Sequence, residues 1–129
     1  MKLGYIILYV PDINAALDFY ERAFGLDRGF VHDSGTYAEL NTGETTLAFA
    51  REDLAGSHGF GFRRQRAEDD APAFEIALVT DDVTAAHRTA LEAGAAERKA
   101  PADMPWGQTV SYVADPLGNT VELCTPVGG

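Results

Sequence analysis

The chain has 129 residues, 46% hydrophobic and 23% charged, which suits one globular domain with a real core and excludes both a disordered chain and two independent domains. A formal charge of −10, from 20 acidic against 10 basic residues, makes nucleic acid a poor partner, since phosphate binding needs clustered Lys and Arg; it serves solubility and attracts cations, organic ones included. The longest apolar run, Tyr5 to Val10, is far shorter than the roughly 20 residues that cross a bilayer, no basic leader precedes it, and the single cysteine, Cys124, has no partner for an internal disulfide, so a soluble, cytoplasmic protein with no membrane partner is expected.

Residues 2–10 predict a strand, β-branched and aromatic up to Val10 and stopped by Pro11, which cannot donate to a ladder. Asp12 is a good N-cap, and Ile13, Ala16, Leu17, Tyr20 and Phe24 recur at three- and four-residue spacing. That pattern predicts an amphipathic helix closed by Gly25. Three short strands are expected at 28–33, 36–41 and 45–51, separated by Ser34-Gly35 and Thr42-Gly43-Glu44.

Residues 52–72 differ in kind. They carry Gly56, Gly59 and Gly61, then Arg63-Arg64-Gln65-Arg66, then Glu68-Asp69-Asp70, with no sustained periodicity. So long a connection in a compact domain reads as a linker or a functional lid, with Phe60 and Phe62 available to fold over a cleft. The arginine cluster, followed at once by three acids, reads as a solvated, self-neutralising loop, with a phosphate or thiol-conjugate clamp as the alternative.

The order then repeats. A strand at 74–79 leads to Asp82 as N-cap, a helix with the stripe Val83, Ala86, Ala90 and Leu91, and a stop at Gly94. Strands follow at 97–100, 108–114 and 120–125, with the turn Asp115-Pro116-Leu117-Gly118-Asn119 between the last two. Laying Asp12 on Asp82 puts Ala15-Ala16 on Ala85-Ala86, while the two glycines fall one residue out of step. The expected fold is α+β, two tandem βαβββ modules of curled sheet (1–51 and 73–129) joined by the 52–72 linker, with a cleft between the copies.

Val10-Pro11-Asp12, Ala23-Phe24-Gly25-Leu26 and above all Asp115-Pro116-Leu117-Gly118-Asn119-Thr120-Val121-Glu122-Leu123 resemble the vicinal-oxygen-chelate superfamily. That superfamily holds glyoxalase I, bleomycin- and fosfomycin-resistance proteins and extradiol dioxygenases, and the likeness runs along the whole chain. It implies a divalent metal held by a first-strand and a fourth-strand ligand of each module. Carried over, these positions fall at Tyr5, at Ala48 (or Leu47 if the turn is aligned without a gap), at Glu75 and at Glu122. Only the last keeps the ligand of the glyoxalase pattern. A phenol is mostly protonated at neutral pH and alanine donates nothing, so no metal or other cofactor is expected; were a divalent metal to bind, Glu75 and Glu122 are the candidate ligands.

Alternation along the last strand separates Val121 and Leu123 from Glu122 and Cys124. If the apolar pair packs under a helix, Glu122 faces the cleft and needs a partner: a metal, a cationic ligand, an internal Arg or Tyr, or backbone. Glu75 follows the same logic beside Ala77 and Val79, with a water-exposed rim as the alternative. Tyr5, Ile7 and Tyr9 share one face of the first strand. Trp106, in Met104-Pro105-Trp106-Gly107-Gln108, offers a flat stacking surface or plugs a sheet end; similar segments lie near the ligand in resistance-type members of the resembling family. Cys124 reads as a small core residue, His87 as a helix residue at a core margin, and His32 and His58 as a turn and a loop residue.

The reading is a small-molecule-binding protein of the glyoxalase and bleomycin-resistance kind, resistance-type in character. It sequesters an aromatic or cationic organic ligand by Tyr5, Tyr9, Glu75, Trp106 and Glu122, without an intact metal site. The resemblance also implies a homodimer. The alternatives are a metal-dependent lyase, isomerase or dioxygenase using Glu122 and Glu75, and an inert scaffold.

Overall fold

The computed structural model describes residues 1–128 and divides into two compact units, Met1–Arg64 and one beginning at Gln65. The first contains β1 (Tyr5–Val10), α1 (Ile13–Phe24), β2 (Asp27–Val31), β3 (Tyr37–Asn41), β4 (Thr46–Arg51) and α2 (Glu52–Gly56). The second contains β5 (Glu75–Val79), α3 (Val83–Glu92), β6 (Ala96–Asp103), β7 (Thr109–Ala114) and β8 (Thr120–Cys124). Each unit is a four-stranded mixed sheet of the same topology, ordered β1-β4-β3-β2 and β5-β8-β7-β6. The first strand of each unit pairs parallel with the fourth, and the remaining pairs are antiparallel. This is the expected tandem βαβββ fold.

Both main helices start as the sequence predicts. Asp12 and Asp82 each accept the backbone N–H three residues on, from Ala15 and Ala85, at 3.0 Å. They end differently, which explains the one-residue slip between the glycines. Gly25, at φ 66°, closes α1 with a single N–H to the Glu21 carbonyl. In α3 the reversal needs two bonds, Gly94 N–H to Leu91 and Ala95 N–H to Ala90, each 3.0 Å, with Gly94 at φ 107°.

In the first unit α1 packs on one face of its sheet. Ile13, Leu17, Tyr20 and Ala23 are buried with Leu8, Val10, Leu40, Leu47 and Phe49, and the Tyr20 and Phe49 ring centres lie 5.2 Å apart. The predicted stripe errs by one flank: Ala16 and Phe24 are half-exposed, while Phe19 is buried edge-on to Tyr20 and Phe24. A curled sheet covers a wider arc of the helix than a strict three-and-four repeat marks.

In the second unit α3 packs on β6, β7 and β8, burying Val83 and Ala90 with Val113, Val121 and Leu123. The place predicted for Ala86 and Leu91 is taken by His87, 4% exposed. Its Nδ1 lies 2.9 Å from Ser111 Oγ on β7, and its Nε2 lies 2.8 Å from Glu97 on β6. The imidazole therefore ties the helix to two strands, a stronger role than the core-margin residue expected. Element boundaries also differ from expectation: β1 begins at Tyr5 and not at residue 2, β2 ends at Val31 and not at residue 33, β6 runs on to Asp103, and the aperiodic 52–72 segment opens with the short helix α2, seated by the buried Ala55 and Glu52. Among the described residues no helix is long and apolar enough to cross a membrane.

Asp115-Pro116-Leu117-Gly118-Asn119 is a closed hydrogen-bonded turn. The buried Asp115 carboxylate accepts from the backbone of Leu117 and Asn119, both at 2.9 Å, and from the Asn119 side chain at 3.0 Å. Gly118 has φ 87°, and a Cβ there would stand 3.1 Å from the Arg66 carbonyl oxygen. Arg98 donates to the Gly118 carbonyl at 2.8 Å. The motif sets the β7–β8 connection, which is why it speaks for the fold and not for an activity.

Candidate ligand-binding site

In the second sheet Val121 and Leu123 face α3, so alternation turns Glu122 and Cys124 to the helix-free face. The same argument puts Tyr112 there, because its neighbours Ser111 and Val113 face the helix, and Glu75, because Ile76 and Leu78 are the more buried residues of β5. Strand register then brings the polar groups together. Tyr112 pairs directly with Glu122 across β7 and β8, and Ala77 pairs with Glu122 across β5 and β8, which leaves Glu75 one side-chain repeat away.

The Tyr112 hydroxyl donates to Glu122 Oε1 at 2.9 Å. Of the partners open to Glu122 in the sequence, the structure supplies the tyrosine. This bond, then burial and the two nearby carboxylates, push the Tyr112 phenol up to about 12. Burial first, then hydrogen bonding to and repulsion by Glu122, raise the Glu75 carboxyl above its usual range. Burial likewise raises the Cys124 thiol, helped by Glu122; its Sγ lies 3.8 Å from the Leu78 carbonyl oxygen, and it is buried as expected of a small core residue. No Lys, Arg or His pairs with Glu75 or Glu122 among the described residues, so the two carboxyls, a phenol and a thiol share one face with no basic group bonded to them.

The first sheet carries a counterpart with different chemistry. Ile7 pairs with Ala48 as Ala77 pairs with Glu122, and Glu39 pairs with Ala48 as Tyr112 pairs with Glu122. Ala48, not Leu47, is thus the counterpart of Glu122; Leu47 faces α1. Tyr5 is the counterpart of Glu75 by the same register. On this face, opposite α1, lie Tyr5, 55% exposed, Ile7, 44% exposed, and Tyr9. The Tyr37 hydroxyl donates to Glu39 Oε2 at 2.8 Å, and burial followed by that bond pushes its phenol up to about 12. Trp106 stands apart from Glu75 and Glu122 at the tip of the β6–β7 hairpin, 61% exposed, its Nε1 donating to Gln108 Oε1 at 2.6 Å. His32 bonds Ser34 within its turn, and His58 stacks on Phe60.

Residues 2–123 match the model of the Glyoxalase/Bleomycin resistance protein/Dioxygenase superfamily. The chain belongs to that superfamily. It is 28% identical over 126 residues to the uncharacterized protein YraH of Bacillus subtilis, covering 95% of this chain and 97% of that one. A glyoxalase-related enzyme from Fulvimarina pelagi has a similar fold, with TM-score 0.82 and 20% identity over 97% of this chain and 88% of its own. A protein of unknown function from Agrobacterium tumefaciens C58 superposes with TM-score 0.79 and 23% identity over 98% and 95% of the two chains. TioX from Micromonospora sp. ML1 does so with TM-score 0.71 and 21% identity over 97% and 98%.

Tested against the superfamily's metal, the donor set is short. The four positions the resemblance indicates hold Tyr5, Ala48, Glu75 and Glu122, and among the described residues no three His, Cys, Asp or Glu side chains stand together in a metal-binding group. A hard divalent cation can complete its shell with water around one or two carboxylates, but here no imidazole or third acid among the described residues joins the two carboxyls, and burial and Glu122 raise the Glu75 carboxyl above its usual range, which disfavours the charged form a metal needs. The protein thus supplies few donors for a resident ion.

The residues missed in the sequence are Tyr112, Tyr37 and Glu39. Alternation alone places Tyr112 on the helix-free side of its strand, but only the β7–β8 register identifies Glu122 as its partner.

Proposed function

We propose that this superfamily member binds and sequesters a small organic ligand, aromatic or cationic, without a metal centre. The observation that carries the reading is the Glu75–Glu122 pair. Ionising both carboxyls side by side costs free energy, and an organic cation placed against them offsets that cost with charge-assisted hydrogen bonds. Tyr112 orients Glu122 as the acceptor. Trp106 in the same unit presents aromatic area for stacking and for attraction of a cation; in the first unit Tyr5 does so by itself, while Tyr9 lies against Phe62. Leu3, Tyr5 and Ile7, exposed on and beside the edge strand β1, support a homodimer; a monomer by light scattering at micromolar concentration speaks against it.

The test is calorimetric melting with planar organic cations on one side and Mn, Ni and Zn on the other. A ligand at about a hundred times its dissociation constant adds about 2.7 kcal/mol. The expected result is a rise with an organic cation that is lost in the Glu75→Gln/Glu122→Gln double variant. Stoichiometric metal in protein purified without chelator, lost on Glu122→Ala, would overturn the reading in favour of metal-dependent chemistry.

A further inference from the structure

After α2 the chain returns along the face of the first sheet opposite α1. The Phe62 ring sits edge-on to Tyr9, with centres 4.9 Å apart and planes at 75°. The Arg64 guanidinium lies over that ring, 5.0 Å from its centre, and its Nε is 3.9 Å from the nearly buried Glu52 carboxylate on α2. The arginine therefore answers an acid upstream of it, where the sequence suggested the acids downstream.

Both ends of the segment are fastened. Ser57 bonds the Leu54 carbonyl through N–H and hydroxyl, and His58 N–H bonds Ala55. At the other end the Gln65 side chain donates to the Asp70 carbonyl and the Arg66 N–H to Asp69. Between them, residues 59–63 make no hydrogen bond among the described residues. Gly59 has φ 89°, and nothing lies within 4 Å of where a Cβ would stand on Gly56, Gly59 or Gly61, so packing does not hold the backbone there. A stretch fixed at both ends and held in the middle by one ring is the low-stability part of the unit.

We propose that residues 59–64 form a strap, that Phe62 is its plug over Tyr9, latched by Arg64 against Glu52, and that an aromatic ligand reaching Tyr9 must displace Phe62. The last clause rests on the ligand reading given above; the strap and latch do not.

Two measurements on the full chain separate these parts. Tryptic nicking after Arg63 requires the strap to leave the sheet, so Phe62→Ala is expected to speed it about two- to tenfold, the range an edge-to-face ring contact provides, with cleavage after Arg51 and Lys99 unchanged as controls. Glu52→Gln, which loosens the latch and leaves the ring, should speed it less. Nicking at the wild-type rate in Phe62→Ala overturns the strap. Titration with ethidium, a planar aromatic cation, is expected to show about two- to tenfold tighter binding to Phe62→Ala than to wild type. Weaker binding to the variant makes Phe62 a wall of the site and overturns the plug. Binding to neither form, together with faster nicking, removes the ligand reading and the displacement clause with it, while upholding the strap.

Discussion

Replacing Glu75 by Gln removes one of two carboxyls that share a face with no basic partner among the described residues, while keeping the side chain's size. A carboxyl whose folded-state pKa lies above its unfolded value contributes stability that is complete below the ordinary carboxylate range and is lost as pH rises through the raised value. Glu75 is such a group, raised by burial first and by Glu122 second. Glu75→Gln is therefore stabilising at neutral and alkaline pH, and its advantage shrinks as pH falls toward the titration of Glu75. Two unit charges about 5 Å apart interact by about 3 kcal/mol at an effective dielectric near 20. Glu75 stands at an exposed position and its carboxyl is only partly desolvated by its neighbours, so solvent screening reduces this to about 0.5–1 kcal/mol, the usual size of a like-charge pair across strands. In a domain of this size that is a rise of about 2–5 °C in Tm. Calorimetry at intervals from pH 3.5 to 8 is the assay, a span that starts below the ordinary carboxylate range and ends well above it. In a Glu122→Gln background the gain should shrink without vanishing, because burial is the larger cause. A gain that stays constant with pH, or a loss of stability at pH 8, refutes the reasoning.

Tyr112→Phe is expected to flatten the alkaline loss of stability. The wild-type phenol, at about 12 when folded, contributes stability that is complete below pH 10 and is lost between about pH 10 and 12, so urea unfolding at pH 8, 10 and 11 should show a shallower fall in the variant. Asp115→Ala leaves two backbone N–H groups and the Asn119 amide without their acceptor in a buried turn; a loss of about 2–4 kcal/mol by urea denaturation is expected. His87→Leu strands the fully buried Ser111 hydroxyl and should cost about 1–3 kcal/mol, and adding Ser111→Ala should restore part of it, because replacing both partners costs less than orphaning one. A double variant less stable than His87→Leu would count against that hydrogen bond.

Local chemistry carried the sequence reading a long way. Asp12 and Asp82 cap helices because a side-chain oxygen three residues before an open N–H needs no tertiary context, and Pro11, Gly25 and the turn at 115–119 act through their own backbone restrictions. Repetition of that punctuation, with strand alternation between, was enough for the tandem βαβββ fold and for the helix-free orientation of Glu122. What required the tertiary structure was everything set by register and by approach across sequence distance. Glu122 meets Tyr112 because an antiparallel register pairs them, Ala48 and not Leu47 is the counterpart of Glu122 because a parallel register says so, and His87 is a buried tie because Ser111 and Glu97 come to meet it. A period of two or 3.6 tells which face a side chain takes, but shifting a strand by two residues leaves that pattern unchanged while replacing every cross-strand partner. The sequence by itself thus determined the elements and their faces; the fold decided who touches whom, and with it the pairing of two acids on which the proposed site depends.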